Sequence, residues 1–158
     1  MLVEKLMHKD VKTCAASDML DRAAQIMWEG DVGIVPVTDA KGRVISVITD
    51  RDICMAAYTQ GKALHAIPVS IASSRKLFAI RPGDSVEIAE QKMREHQVRR
   101  LPVTDGDGRL AGILSLVDLA RNTSRRTGGI TADEVASTLQ AIATTTAPPR
   151  GAGQRSSP

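Results

Sequence analysis

The sequence predicts a mixed α/β (α+β) fold in which one β-α-β-β-α unit occurs twice. Shifting the 158-residue chain by 66 positions aligns residues 18–52 with residues 84–118 without a gap, and 13 of the 35 aligned pairs are identical. Each copy also contains a segment with apolar residues at helical spacing, followed by two apolar runs around a glycine turn. These patterns indicate a duplicated unit of helices and short strands.

The first helix of each unit is expected to follow an acidic residue. Asp18 and Asp84 occupy the position of an N-cap, and Asp21 and Glu87, three residues later, can complete a capping box. Apolar residues then recur at helical spacing in both copies. We therefore predict one helix after each of these aspartates.

The strands follow from runs of β-branched and other apolar residues. A short strand is expected before each first helix, over residues 11–15 and 77–80. The runs IVPV and VISVI, like RLPV and LAGILS in the second copy, flank a four-residue turn that contains glycine, which predicts a hairpin. Each hairpin leads into a second helix, capped by Thr49 or Asp50 in the first copy and by Ser115 in the second.

The chain divides into four segments. We assign residues 1–66 to the first unit with an N-terminal helix and strand, and residues 67–123 to the second unit with a connecting helix after Pro68. Residues 124–143 are expected to form a C-terminal helical extension, and residues 144–158, which lack large apolar side chains, a disordered tail. The predicted apolar face of the extension consists of Val135, Leu139 and Ile142.

Composition and charge argue against several classes of function. Only 2% of the residues are aromatic, too few for the stacking platforms of single-strand nucleic-acid binders. Residues 1–123 carry 17 basic and 16 acidic side chains, so nucleic acid is not expected as a partner. Because the sequence has no signal-peptide pattern and no apolar run of the ~20 residues that cross a membrane, we expect a cytoplasmic protein without a membrane partner.

The residues that usually carry catalysis or bind metals show no matching pattern. The histidines share no metal-ligand spacing and are expected at the surface, and two cysteines are too few for a structural zinc site. The sequence contains neither a nucleophile motif nor a phosphate-binding glycine loop, so no catalytic residue and no metal site are assigned. We interpret both cysteines as small buried hydrophobic residues. The histidines are His8, His65 and His96, and the cysteines are Cys14 and Cys54.

Two stretches of the repeat resemble a known family. GDVGIVPVTDAKGRVISVITDRDI in the first copy and REHQVRRLPVTDGDGRLAGILSLVDLA in the second are similar to the cystathionine-β-synthase-type (CBS) domain. The resemblance implies a pseudo-two-fold pair of motifs packed through their sheets, which commonly forms a homodimer. It also implies a regulatory module that requires no cofactor and is not an enzyme. Such a module binds AMP, ADP, ATP, NAD or S-adenosylmethionine between its motifs and acts on an effector protein.

The resemblance places the ligand at a hydroxyl residue followed three positions later by an aspartate. This pattern occurs at Thr49 and Asp52, which we call the first cleft, and at Ser115 and Asp118, the second cleft. A carboxylate can accept hydrogen bonds from ribose hydroxyls, and a helix start suits a phosphate oxygen. The other implied contacts are the cationic Arg51, Arg99 and Arg100 for phosphate, and Thr13, Ile34, Pro36 and Pro102 around adenine.

The two clefts are not expected to be equivalent. Ser46 stands where the second copy has Gly112, and the first copy has Gly33 and Ile34 in place of the arginine pair of the second. We expect the first cleft to be the better nucleotide site, with the arginine pair reaching across from the other motif.

Alternative interpretations remain open. The aspartates of both clefts could serve only as helix-start residues, and Arg99 and Arg100 could be solvated or pair with Glu95. The chain could also be a ligand-free dimerisation scaffold. A third alternative is a weak nucleic-acid binder that uses Arg125, Arg126 and the basic tail.

Overall fold

The structure, a computed structural model, describes residues 1–123 and 130–143. It confirms the mixed α+β fold and the duplicated unit. The first motif comprises β1 (Cys14–Ala15), α1 (Leu20–Gly30), β2 (Ile34–Thr38), β3 (Val44–Thr49) and α2 (Asp50–Gln60). A short helix, α3 (Val69–Ala72), leads into the second motif, which comprises α4 (Val86–His96), β4 (Arg100–Thr104), β5 (Leu110–Ser115) and α5 (Leu116–Arg121). The last described helix is α6 (Ala132–Ala143), and 3₁₀ turns lie at Val3–Lys5 and Leu64–Ala66.

Each motif contains the predicted antiparallel hairpin. Both hairpins have a register irregularity at the same position of the repeat, between Val37 and Thr38 in the first and between Val103 and Thr104 in the second. The strand predicted over residues 11–15, before the first helix, is shorter than expected. It is β1, which has only two residues, and these pair in parallel with β2. In the second motif a single residue, Ile80, forms the corresponding bridge to Val103.

The predicted caps of the first helices are wrong, whereas those of the second helices are confirmed. Met19 and Ser85 precede α1 and α4, and neither side chain caps its helix. Asp18 instead accepts a hydrogen bond from the Ala15 N–H at 2.8 Å, and Asp84 accepts the equivalent bond from Arg81 at 2.9 Å. Both aspartates therefore stabilise the turn before the helix. A short polar side chain can bind a backbone N–H of that turn or one at the helix start, and the capping pattern does not distinguish these two arrangements.

The motifs exchange short segments of chain. The Val3 N–H donates to the Asp84 carbonyl at 3.0 Å, and 66 positions later the Val69 N–H donates to the Asp18 carbonyl at 2.8 Å. Val3 thus packs in the core of the second motif, while Ile67 and Val69 pack in the core of the first. The boundary assigned before Ile67 separates the sequence repeats, but not the two packed cores.

The C-terminal helix packs against α4 and α5. Thr131 and Glu134 form a capping box at its start, with the Thr131 N–H donating to the Glu134 carboxylate at 2.8 Å. The predicted apolar face is wrong at Leu139, which is 46% exposed, because Arg94 donates to the Thr138 hydroxyl at 3.0 Å and Thr138 faces α4 instead. The buried residues of α6 are Val135, Thr138 and Ile142.

Some sequence-based expectations concern segments outside these ranges. The disorder expected for residues 144–158 and the start of the extension at residues 124–129 both lie outside the described residues. Among the helices that are described, the longest has 12 residues, and none has the length and apolar character needed to cross a bilayer.

Candidate functional site

The two hydroxyl–aspartate junctions at which the first and second clefts were expected each form a capping box where a strand meets a helix. In the first cleft the Asp52 Oδ2 accepts hydrogen bonds from the Thr49 N–H at 2.9 Å and from its hydroxyl at 2.7 Å. In the second cleft the Asp118 Oδ2 accepts the same two bonds from Ser115, at 2.8 and 2.5 Å. Since an oxygen with two such bonds has both lone pairs engaged, each carboxylate has only its Oδ1 left for a ligand.

The remaining carboxylate oxygen differs between the clefts. The Asp118 Oδ1 lies 2.8 Å from the Nε2 of His8, and Asp118 is only 4% exposed. Asp52 is half-buried, and its hydrogen bonds among the described residues all involve Thr49. The second cleft is therefore occupied by the His8 side chain, while the Asp52 Oδ1 of the first cleft is an acceptor that no residue in the described ranges engages.

A glycine allows His8 to approach the second cleft. The His8 N–H donates to the Ile113 carbonyl, and the Ile113 N–H donates back to the His8 carbonyl, both at 2.9 Å. A Cβ on the preceding residue, Gly112, would lie 2.5 Å from the His8 carbonyl oxygen, a distance that side chains do not tolerate. Only glycine fits here without displacing the N-terminal segment.

The first cleft has serine at both equivalent positions. Ser46 replaces Gly112 and is buried, and its hydroxyl has no hydrogen-bond partner among the described residues. Ser74 stands where the second cleft has His8. Its Oγ, rather than its carbonyl, accepts the hydrogen bond from the Val47 N–H, at 3.3 Å. A small side chain thus takes the place of the imidazole.

His8 was expected only at the surface, and its contact with Asp118 was not predicted. The His8 side chain is indeed 66% exposed, but its Nε2 lies 2.8 Å from the buried Asp118 carboxylate, 110 positions away in sequence. The repeat itself holds a usable signal, because the 66-residue shift pairs His8 with Ser74 and so marks a difference between the motifs.

The hairpin of the first motif gathers most of the residues expected in the first cleft. Ile34 pairs with Thr49 across the sheet, and Pro36 pairs with Val47. Thr13 directly precedes β1, where Cys14 pairs with the residue that follows Pro36. Ile34 is half-buried and Pro36 is buried, so this edge combines apolar cover with the polar junction.

The arginine pair lies within the second motif. Arg100 pairs with Ser115 across the sheet, and the Arg99 carbonyl accepts a hydrogen bond from the Leu116 N–H at 2.9 Å. Pro102 is buried in the same strand. No ion pair joins Arg99, Arg100 or Arg51 to Asp52 or to Glu95 within residues 1–123. The reach of the pair across the motifs stays a prediction.

The two cysteines differ in environment. Cys14 is buried in the first core, and this burial, together with the nearby Asp18 carboxylate, raises its pKa to about 11. Cys54, in contrast, is exposed on α2. The expectation of a buried thiol is correct for Cys14 and wrong for Cys54, because that position faces the outside of α2 beside its buried neighbour Ile53.

Comparisons with known proteins agree with the fold. The family model of the CBS domain matches residues 3–58 and 65–125. The CBS domain-containing protein YhcV of Bacillus subtilis is 38% identical over 120 residues, which cover 76% of this chain and 84% of that protein.

Two solved structures have the same fold. Hypoxic Response Protein I, solved with two coordinated zinc ions, matches with a TM-score of 0.72 and 28% identity over 78% of this chain and all of that one. In the described part of the present chain, no three histidine, cysteine or acidic side chains form a metal-binding group. PAE2072 from Pyrobaculum aerophilum, solved with AMP, matches with a TM-score of 0.68 and 24% identity over 75% of this chain and 90% of that one.

Proposed function

Because this chain belongs to the CBS-domain family, we propose that it is a regulatory module that binds an adenosine-containing nucleotide in its first cleft. The observation that carries the choice of cleft is the free Oδ1 of Asp52, compared with the Oδ1 of Asp118, which is bound to His8. The AMP bound to a protein of the same fold supports the class of ligand.

The residues around the first cleft have complementary chemistry for such a ligand. A ribose hydroxyl donates to the free Asp52 Oδ1, and the apolar Ile34 and Pro36 cover the adenine face. Arg51 lies in the first turn of α2, where the helix dipole favours a phosphate. The wider proposed set adds Thr13, Arg99, Arg100 and Pro102.

In this proposal the hydroxyl of Thr49 positions the carboxylate. It donates a hydrogen bond to the Asp52 carboxylate and accepts one from the Asp52 N–H, so it orients Asp52 instead of contacting a phosphate. In this arrangement the phosphate relies on cationic side chains and on the start of the helix. The second cleft, with Ser115 and Asp118, binds only after His8 turns away, which lowers its affinity.

Binding would regulate the protein through linkage. A ligand that contacts only the folded arrangement stabilises it by RT ln(1 + [L]/Kd), roughly 2.7 kcal/mol at a hundredfold excess over Kd. The proposal includes a homodimer, a cytoplasmic location and an effector protein whose affinity changes by ~1–3 kcal/mol, the usual scale of allosteric coupling. It assigns a binding role and no catalytic residue.

Calorimetry with AMP, ADP, ATP, NAD and S-adenosylmethionine tests this proposal. In Asp52→Asn the amide oxygen can keep the hydrogen bond from the Thr49 N–H, but an NH₂ group replaces the second oxygen. Because this group donates and cannot accept from the ribose hydroxyl, we expect about a tenfold loss of nucleotide affinity. Asp118→Asn is the matched control, and its effect on the tightest site should stay within about twofold.

Three other results would contradict the proposal. Absence of binding by the whole panel would favour the dimerisation scaffold. A greater loss in Asp118→Asn than in Asp52→Asn would assign the wrong cleft. Binding of RNA or DNA that disappears in Arg125→Ala/Arg126→Ala, without nucleotide binding, would support the basic tail instead.

A further inference from the structure

The helix α6 covers the helical face of the second motif with few side chains. It packs against α4 and α5, and its buried residues are Val135, Thr138 and Ile142. Ile130, just before the helix, is also buried, and Arg94 on α4 donates to the Thr138 hydroxyl at 3.0 Å. A helix of 12 residues is marginal in water when it is alone, so α6 depends on this contact for its structure.

The repeat shows which acidic side chain α6 covers. The 66-residue shift maps α4 and α5 onto α1 and α2, and it maps Glu90 onto Ala24. Ala24 lines an open groove between α1 and α2, with a cavity volume of about 550 Å³. Glu90, in contrast, is buried. Because the two positions are equivalent in the repeat, we attribute the burial of Glu90 to the α6 helix that packs on its side of α4.

Glu90 is poorly solvated in this covered position. Its side chain is 4% exposed, and its Oε1 has no hydrogen-bond partner among the described residues. A buried carboxylate that lacks hydrogen bonds resists ionisation, because the charge has lost the water that would stabilise it. Docking of α6 and ionisation of Glu90 therefore oppose each other.

The charged groups on α4 and α6 strengthen this opposition. Burial and then the charge of Glu134, on α6, raise the pKa of Glu90 above its ordinary 4.5; Arg94 opposes this rise and Glu87 adds to it, both from α4. Glu134 itself keeps its charge, because hydrogen bonds from the Thr131 N–H and hydroxyl lower its pKa. The helix that buries Glu90 thus also brings a second negative charge toward it.

We propose that α6 is a reversible, pH-sensitive cover of the second motif, which docks when Glu90 is protonated and tends to undock when Glu90 is ionised. Because the docked state holds the proton more tightly, docking is strongest below pH 4.5 and weakens as the pH rises through the docked-state pKa. Undocking uncovers the part of the second core against which Val135 and Ile142 pack, while both motifs stay folded. This inference does not depend on nucleotide binding.

Hydrogen exchange of the full-length protein, measured by mass spectrometry at pH 4 and pH 7, tests the proposal. Fragments from α6 report docking, because the undocked helix unwinds, and fragments from β4 and β5 report the integrity of the motif. After correction for intrinsic exchange rates, we expect α6 to be at least about tenfold less protected than the hairpin at pH 7. Its protection should be about fivefold higher at pH 4 than at pH 7.

A variant of Glu90 isolates the carboxylate. Glu90→Gln keeps the shape of the side chain but cannot ionise, so α6 should be about fivefold better protected than in wild type at pH 7 and should lose its pH dependence. Glu95→Gln is the matched control, because Glu95 is an exposed acid on the same helix. This control should change the protection of α6 by less than about twofold at either pH.

A variant of α6 itself tests whether the helix opens independently of the motif. Ile142→Ala removes a buried side chain from the docked face and should lower the protection of α6 by at least about tenfold. The protection of the β4–β5 hairpin should change by less than about twofold, because undocking leaves the second motif folded. Circular dichroism melting checks that the variant retains its fold.

The following results would overturn the proposal. Equal protection of α6 and the hairpin in wild type, with both falling together in Ile142→Ala, would mean that α6 opens only when the motif unfolds. The same pH profile in Glu90→Gln and wild type would exclude Glu90 as the titrating group. A rise in α6 protection with pH would have the wrong sign. Because none of these measurements uses nucleotide, this proposal and the proposed function fail separately.

Discussion

The two motifs have the same capping box, but different groups approach its carboxylate. In the second motif Gly112 lets the N-terminal segment approach, and His8 reaches Asp118. In the first motif Ser46 and Ser74 stand at these positions, and within the described residues no side chain reaches the Asp52 Oδ1. The comparison teaches that a duplicated fold can retain a polar junction twice while a side chain of the described residues engages the second carboxylate oxygen in only one copy.

The helical faces of the two motifs differ in the same sense. The second motif is covered by α6, whereas the equivalent groove of the first motif is open and edged by Trp28. One motif therefore has both a free carboxylate and an uncovered groove, and the other has both sites occupied by its own chain. This asymmetry makes each equivalent position a matched control for the other.

The largest effect on stability is expected from exchanging the equivalent residues Gly112 and Ser46 between the two clefts. Gly112→Ser places a Cβ 2.5 Å from the backbone oxygen of His8 and should lower the free energy of unfolding by about 1–3 kcal/mol. The mirror variant, Ser46→Gly, removes a buried hydroxyl without a partner, which offsets the entropic cost of glycine, so its net change should stay below ~1 kcal/mol. Urea denaturation measures both, and equal effects would contradict the difference in approach.

Removing the imidazole should open the second cleft. In His8→Ala the Asp118 Oδ1 loses its partner, and we expect calorimetry to show the nucleotide stoichiometry rising from about one to about two per chain. Ser74→His, the converse change, should weaken the first cleft by about tenfold if the new ring reaches Asp52. Two equal sites in the wild-type protein would refute the assigned role of His8.

The smallest effect is a pH dependence of α6 docking. Glu90 is 4% exposed with one oxygen unpartnered among the described residues. Its burial and then the charge of Glu134 raise its pKa above the ordinary 4.5, Glu87 adds to the rise, and Arg94 opposes it. Because the folded state holds this proton more tightly, the associated stability is complete below pH 4.5 and is lost as the pH rises through the folded-state pKa.

Glu90→Gln should remove this loss. We expect the variant to be about 1 kcal/mol more stable than wild type at pH 7 and of similar stability at pH 4, measured by thermal unfolding at both values. The equivalent position in the first motif is Ala24, on the open groove, so Ala24→Glu should show no comparable pH dependence. A pH profile unchanged by Glu90→Gln would contradict the assignment.

Local patterns predicted the parts of the site that depend on neighbouring residues. The capping boxes at Thr49 and Ser115 were predictable because the hydroxyl, the carboxylate and the backbone N–H lie within three residues of one another. The same reasoning was wrong for Asp18, because a short carboxylate can accept from a backbone N–H in the preceding turn as well as from one at a helix start, and Asp18 accepts from the Ala15 N–H in the turn. The sequence pattern contains both possibilities, and only the structure distinguishes between them.

Contacts between distant segments were beyond local patterns. The pairing of His8 with Asp118 depends on the N-terminal segment crossing to the other motif, and the turn of Leu139 toward solvent depends on Arg94 binding Thr138. Spacing along the chain specifies which side chains share a face. It does not specify what lies opposite that face.

The sequence by itself determined the duplication, the order of helices and strands, the family and the two hydroxyl-aspartate junctions, because these depend on repetition and on interactions between near neighbours. Only the tertiary structure decided which carboxylate stays free and which helical groove stays open, because both depend on where the N-terminal segment and α6 pack. Identical short-range interactions therefore built two similar motifs, and long-range packing made them chemically different.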